Sequence, residues 1–171
     1  MHLRRYDSFR LSVNDPFLVV RHSGRPAPLT RVRPVADVQN ALLCNAAEVD
    51  PRGLVSMLGA FVDQISGAEL PVRGQLWLVA RLVLGAADDG GHAFVVEVVG
   101  EGGEPVTRLD GSFQGPPPSG NSDPDLPQGG NLVMPLTLEF RRAGLYEVRL
   151  LLDGEPRAEL PLRVRLTTPA G

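Results

Sequence analysis

The chain has 171 residues, the length of one domain with a short appended segment, and 43% of them are hydrophobic. Its formal net charge of −3 argues against a nucleic-acid partner, which selects a clustered basic surface. One cysteine, Cys44, excludes an intramolecular disulfide, and no apolar run approaches the roughly 20 residues that span a bilayer. We therefore expect a soluble cytoplasmic protein with no nucleic-acid or membrane partner.

Residues 1–36 differ in composition from the rest of the chain. They contain seven arginines and four prolines, and only residues 16–20 have the pattern of a short strand. A basic, proline-rich segment is typical of chain that does not order by itself. We predict a poorly ordered basic arm, and a basic segment that folds on a partner is the alternative.

A β-hairpin is predicted at the start of the domain. Residues 38–49 form the first strand, residues 50–53 (Asp-Pro-Arg-Gly) form a turn, and residues 54–61 return. Gly59 within the second strand indicates a bulge or a close backbone approach.

The central stretch, residues 74–100, contains two apolar runs separated by a turn-rich break at residues 86–91. Alternation of this kind is typical of half-buried strands, and we interpret the runs as the central antiparallel pair. The inward positions are Leu76, Leu78, Ala80, Leu82 and Leu84, then Phe94, Val96 and Val98.

Four more predicted strands complete the domain. Residues 106–113 form a strand, residues 114–130 a long Pro/Gly-rich loop, and residues 131–140 the next strand. Pro135 lacks an N–H and so predicts an edge or a bulge there. Residues 145–153 and 158–166 form the last hairpin, and 169–171 are a tail. The inward positions of this hairpin are Tyr146, Val148, Leu150, Leu152, Leu160, Leu162, Val164 and Leu166.

The pattern gives eight strands and no helix. Strict alternation leaves one face of each strand dry and the other wet, as in antiparallel sheets. We predict an eight-stranded antiparallel β-sandwich over residues 37–168, immunoglobulin-like or C2-like, with a closed β-barrel as the alternative. The sequence does not give the strand order.

Two phrases resemble a small family of uncharacterised bacterial all-β domains. The first is the opening hairpin, LCNAAEVD followed by GLVSMLGAF, and the second joins Phe140, Gly144, Tyr146 and the Asp153–Gly154 pair. The resemblance covers roughly residues 38–166 and implies an all-β domain without a known activity. The arm and the long loop depart from the family pattern.

Cys44 and His92 are the only cysteine and the only histidine of the domain, and its serines show no nucleophile-elbow pattern. No spacing links them, and two such ligands are too few for a closed zinc site. We therefore predict a buried structural thiol at Cys44, no catalytic residue and no cofactor.

Acidic turns are the better candidates for a ligand site. If consecutive strands are neighbours, alternate turns meet at one end of the sandwich and supply hard oxygen ligands for Ca²⁺. Asp and Gly are also ordinary turn residues, so the metal site is a weak candidate. The strongest candidates are Asp50, Asp88, Asp89, Asp153 and Glu155, and Glu48, Asp123 and Asp125 lie in the same set of turns.

A complete sandwich pattern without a reactive constellation favours a non-enzymatic module with an unidentified protein partner. The candidate contact surfaces are the arm, the edge strand at residues 132–140 and the proline run at residues 116–118. A domain that binds Ca²⁺ or a carbohydrate at the acidic turns is the alternative function.

Overall fold

A computed structural model describes residues 8–12, 19–21, 36–85, 90–115 and 128–167. These residues form strands and turns and include no helix that could cross a membrane. Nine strands lie between residues 37 and 166, one more than predicted, and two short strands precede them. The strands are β1 (Ser8–Ser12), β2 (Val19–Arg21), β3 (Asp37–Val49), β4 (Val55–Ala60), β5 (Gln64–Gly67), β6 (Val72–Leu84), β7 (Gly91–Gly100), β8 (Pro105–Gln114), β9 (Gln128–Phe140), β10 (Gly144–Leu152) and β11 (Glu155–Leu166).

Two sheets pack face to face, which confirms the predicted all-β sandwich. Sheet A has the order β1-β9-β6-β3-β4, and sheet B has the order β2-β8-β7-β10-β11-β5. The predicted central pair is wrong, because β6 pairs with β3 and β9 while β7 pairs with β8 and β10. Alternation reports which face of a strand is buried, and it carries no information about the neighbouring strand.

The predicted inward residues form the core between the sheets. The predicted inward residues of β6 and β7 are all buried. The fully buried core residues include Leu78, Leu82, Val96, Val148 and Leu150. One inward assignment is wrong. Leu166 is 47% exposed, because β10 begins opposite Val164 and the end of β11 runs past the core.

Turn chemistry closes the β10–β11 hairpin. Asp153 and Gly154 both have positive φ, 51° and 86°, as a two-residue type I′ turn requires. At the other end of β10, the Tyr146 hydroxyl donates to the Arg142 carbonyl oxygen at 2.8 Å, and its ring packs edge-on against Phe140. This tyrosine corner is a feature of immunoglobulin-like sandwiches. The ring is half-buried and the hydroxyl is paired with the backbone.

Parts of the predicted organisation lie outside the described residues. In the arm, 1–36, the backbone of β1 pairs in parallel with β9, and that of β2 pairs antiparallel with β8. The other residues of the arm up to residue 35 are not among those described. The same holds for residues 116–127 of the long loop, with its proline run, and for the tail.

Candidate functional site

Cys44 and His92 belong to different sheets, on β3 and β7, and have separate partners. The Cys44 thiol is fully buried and donates to the Ala46 carbonyl oxygen at 3.3 Å. Burial raises the pKa of this thiol, which keeps it in the unreactive protonated form. The predicted buried thiol is therefore observed.

His92 is buried against the β10–β11 turn, a contact that the sequence analysis missed. Its Nδ1 lies 2.7 Å from Asp153 Oδ2, and the Ala93 N–H donates to Asp153 Oδ1 at 3.0 Å. The Asp153 N–H in turn donates to the Ala93 carbonyl oxygen at 2.8 Å. These bonds attach the turn to the start of β7, so the Asp153 carboxylate has a structural role.

The acidic candidates do not converge on one point among the described residues, where no group of three His, Cys, Asp or Glu is arranged to hold a metal ion. Asp50 accepts from the N–H groups of Arg52 and Leu54, which lower the pKa of its carboxyl together with the Arg52 side chain. Glu155 is exposed at the start of β11. Asp88 and Asp89 lie outside the described residues, as do Asp123 and Asp125.

The β3–β4 hairpin leaves the sheet at Cys44 and folds back over the outer face of sheet A. Cys44 is the last β3 residue to pair with β6, opposite Trp77. The tip of the hairpin contacts β9, because the Asn131 amide donates to the Gly53 carbonyl oxygen at 3.0 Å. Asn131 is aligned across the sheet with Arg81 of β6, which is in turn aligned with Asn40 near the start of β3. The hairpin has therefore turned back toward the start of β3. Residues 45–61 are therefore named the folded-back hairpin.

The inner side of the folded-back hairpin covers an apolar cluster on the outer face of sheet A. The hairpin contributes Ala47, Val49 and Val55, which pack with the buried side chains of Val79 and Val133. Cys44, Leu42 and Trp77 complete this cluster. It is separate from the main core between the two sheets.

The outer side of the folded-back hairpin is apolar and exposed. Phe61 and Leu58 are the most exposed large hydrophobic residues of the described chain, at 79% and 71%. Leu54, which shares the face of Leu58, is also exposed, and so is Met57 on the opposite face of β4, beside Ala47. This hairpin therefore holds four of the seven such residues among those described. A shallow depression of ≈ 270 Å³ lies between its strands. Contiguous exposed apolar surface is typical of interaction sites, whereas single exposed leucines are ordinary.

The backbone at Phe61 carries strain. Its φ is 62°, in the left-handed region that a bulky residue rarely adopts. Gly59 also has positive φ, and a Cβ there would lie 2.2 Å from the Asn45 side-chain nitrogen. The approach at Gly59 is therefore made by a side chain and not by the predicted backbone. The chain thus presents a phenylalanine to solvent in a conformation that glycine adopts at lower cost. Strain of this kind clusters at functional positions.

The predicted edge at residues 132–140 is only partly an edge. Pairing with β1 covers residues 129–133 of β9, and Pro135 lies just beyond that pairing. β4 is a different kind of edge, since β3 is its single neighbour in the described sheet. The sequence signal for this surface was present in the uncharged run from Gly53 to Val62, but the strand order was needed to place the run at an edge.

A groove of ≈ 560 Å³ lies beside Tyr146, at the end of β10 away from the β10–β11 turn. Its charged side chains pair loosely with one another, Arg142 with Glu104 at 3.8 Å and Arg141 with Glu139 at 3.7 Å. Burial, and then the nearby Glu104, raise the pKa of Tyr146. The hydroxyl therefore stays protonated and bound to the backbone.

Comparison with protein families identifies the domain. A model described as a family of unknown function (DUF6941) matches residues 39–165. The chain belongs to this family. The match agrees with the resemblance over residues 38–166, and a comparison with curated proteins finds no match.

Solved structures resemble this DUF6941 domain at low sequence identity. The C-terminal domain of wzt is 13% identical, with a TM-score of 0.47, and the alignment covers 90% of this chain and 81% of that one. A CARDB domain from Pyrococcus furiosus, in complex with di-metal ions, is 10% identical, with a TM-score of 0.44, and the alignment covers 81% of this chain and 100% of that one. An immunoglobulin-like protein from Pseudomonas aeruginosa is 12% identical, with a TM-score of 0.38, and the alignment covers 79% of this chain and 100% of that one.

Proposed function

We propose that this DUF6941 domain is a non-enzymatic binding module that contacts a protein partner through the outer side of its folded-back hairpin. The observation that carries the proposal is the exposure of Phe61 in a left-handed conformation. A chain that needed only stability at this position would favour glycine or asparagine, which adopt positive φ at lower cost. A strained and exposed aromatic side chain is better explained by contact with a partner.

The surroundings of Phe61 support a binding surface. Aromatic and aliphatic side chains that sit together on a rigid support contribute most of the energy in protein interfaces. Leu58 lies on the outer face of β4, and this strand is supported from below by the apolar cluster at Val79 and Val133. The surface is thus held in place before a partner arrives, which lowers the entropic cost of association.

Substitution at Phe61 separates stability from binding. The Phe61→Gly variant relieves the backbone strain, so we expect its melting temperature to equal or exceed that of the wild-type chain. Affinity capture from native lysate with the full chain tests binding, and we expect Phe61→Gly and Leu58→Ser each to lose a protein that the wild-type chain retains.

Leu166→Ser and Leu145→Ser are the controls, because both leucines are exposed large hydrophobic residues that lie outside the hairpin. We expect both controls to retain the captured protein. The proposal is overturned if the wild-type chain captures nothing, or if Phe61→Gly and Leu58→Ser capture the same protein as the controls do.

A further inference from the structure

We infer that the folded-back hairpin binds a second copy of this chain, with two β4 strands side by side and antiparallel across a two-fold axis. The inference deepens the proposed function and rests on it, since it names the partner of the same surface. The folded-back hairpins of the two copies would then form one four-stranded antiparallel sheet. The argument uses the free edge, its lack of charge, its register and its area.

The free edge of β4 has none of the features that usually prevent strand pairing. Natural edge strands are protected by charged side chains, prolines, bulges or short length. β4 has six residues, whereas β1 has five, β2 three and β5 four. From Gly53 to Val62 there is no charged residue and no proline. Among the sheet edges that the structure describes, β4 is therefore the most open to another strand.

Symmetry favours an uncharged edge for self-association. A two-fold axis perpendicular to the sheet sets one residue opposite its own copy, so a charge near the axis would meet a like charge and weaken the pair. Arg52 and Asp63 lie outside this edge on either side. A second copy therefore meets β4 without electrostatic repulsion near the axis.

The register follows from the backbone. Gly59, with its positive φ, ends the regular part of the edge, so pairing is confined to residues 54–58. The centre of that segment is Ser56, a small exposed residue. With Ser56 opposite Ser56 of the other copy, each Leu54 lies opposite a Leu58. Both leucines are exposed in the single chain, and this register forms two equivalent Leu54–Leu58 pairs, one on each side of the axis.

The available area predicts a reversible dimer. Leu54, Leu58 and Phe61 of each copy are the large exposed side chains that this interface can cover. An interface built on six such side chains and one strand pair lies at or below the lower limit of about 1,200 Å² for stable interfaces. We expect a concentration-dependent monomer–dimer equilibrium and not a permanent dimer.

Sedimentation velocity on the full chain measures this equilibrium. The weight-average mass of the wild-type chain should rise with concentration from the monomer value of 18.4 kDa toward twice that value. Leu58→Glu sets a carboxylate against Leu54 of the other copy, where it loses water, and should raise the dissociation constant by about tenfold or more. The matched control Leu166→Glu should leave the equilibrium unchanged. A wild-type chain that stays monomeric at all concentrations overturns the inference.

Disulfide trapping tests the register. Residues directly opposite across an antiparallel pair have Cβ atoms about 4.5–5.5 Å apart, close enough for a disulfide after small adjustments. Oxidation of Ser56→Cys should give linked dimers, and Cys44 does not compete because it is buried. Ser66→Cys, exposed on the edge strand β5, is the control. Equal yields from the two variants would overturn the arrangement.

The two proposals fail in different ways. A monomeric wild-type chain that still captures another protein through Phe61 overturns the dimer and leaves the proposed function intact. A chain that dimerises through Leu58 supports the inference even if the lysate yields no further partner.

Discussion

The two sheets of the sandwich share one core but have opposite outer faces. On sheet B, the outer face carries paired charged side chains. Arg108 of β8 pairs across strands with Glu97 of β7 and along its own strand with Asp110, and Arg149 pairs with Glu147 along β10. On sheet A, the corresponding positions of β6 and β9 include Val79 and Val133, which are buried. Water covers the first face, and the folded-back hairpin covers the second.

This difference explains where the candidate site lies. A charged outer face needs no further layer, so sheet B ends at solvent. An apolar outer face needs a cover, and the folded-back hairpin supplies one with Ala47, Val49 and Val55. The covering strand β4 is itself apolar on its far side, so exposed apolar surface reappears one layer further out, at Leu58 and Phe61. Four predictions test this comparison, in order of decreasing effect.

The largest loss of unfolding free energy is expected from a substitution in the core that the two sheets share. Leu78 is fully buried between the sheets, so Leu78→Ala should lower the free energy of unfolding by about 2–5 kcal/mol, measured by urea denaturation. Leu166→Ala is the control and should change it by less than about 0.5 kcal/mol, because Leu166 lies outside the core. A cost below half a kcal/mol at Leu78 would contradict the assignment of the core face.

The covered outer face of sheet A should come next. Val133 is 2% exposed beneath the folded-back hairpin, so Val133→Ala should cost about 1–2 kcal/mol. Amide hydrogen exchange should accelerate more in β4 than in β10, because the variant loosens the hairpin locally. If the unfolding free energy is unchanged, the hairpin does not stabilise the sheet that it covers.

Tyr146 links the two sheets, since it belongs to β10 and packs against Phe140 of β9. Tyr146→Phe removes the hydrogen bond to Arg142 and should cost about 0.5–1.5 kcal/mol. The pKa of Tyr146 is raised in the folded state, so its contribution is complete below the ordinary tyrosine pKa of 10.0 and is lost as pH rises above it.

Alkaline denaturation of Tyr146→Phe and wild type checks the sign of this effect. The gap in unfolding free energy between the two chains should narrow as pH rises from the ordinary tyrosine pKa toward the raised value. A gap that widens over this window would contradict the raised pKa. Tyr6, the other tyrosine, can be replaced by Phe in both chains so that a tyrosinate absorbance signal reports Tyr146 alone.

The smallest effect belongs to the outer face of sheet B. Glu97→Gln breaks the ion pair with Arg108, which is half exposed, so solvent screening limits the cost to about 1 kcal/mol or less. Added salt should shrink the difference from wild type. A salt-independent loss as large as that of Val133→Ala would mean that the two outer faces do not differ as described.

The acidic-turn hypothesis shows why a site is harder to predict than a strand. It required consecutive strands to be neighbours, whereas β6 and β7 belong to opposite sheets. Asp50 and Asp153 were correctly recognised as turn residues. The Asp50 carboxylate binds the backbone of its own turn, whereas the Asp153 carboxylate binds the backbone of β7 at Ala93. The contact of Asp153 with His92 spans 61 positions in the chain, and no local pattern reports it.

The sequence by itself determined the local structure of this protein. Alternation at positions such as Leu78 and Val148 specified the buried faces, because side chains of a strand point alternately to its two sides. The Asp153–Gly154 pair specified a tight turn through its tolerance of positive φ. These properties depend only on a residue and its neighbours in the chain.

Only the tertiary structure decided which strands pair and which apolar faces stay exposed. Val79 and Leu58 are both apolar residues in strands, yet Val79 lies under the folded-back hairpin and Leu58 lies on its outside. The difference arises because the chain turns back at Cys44 and adds a third layer to sheet A alone. Burial depends on what packs against a face, and that is a property of the whole fold.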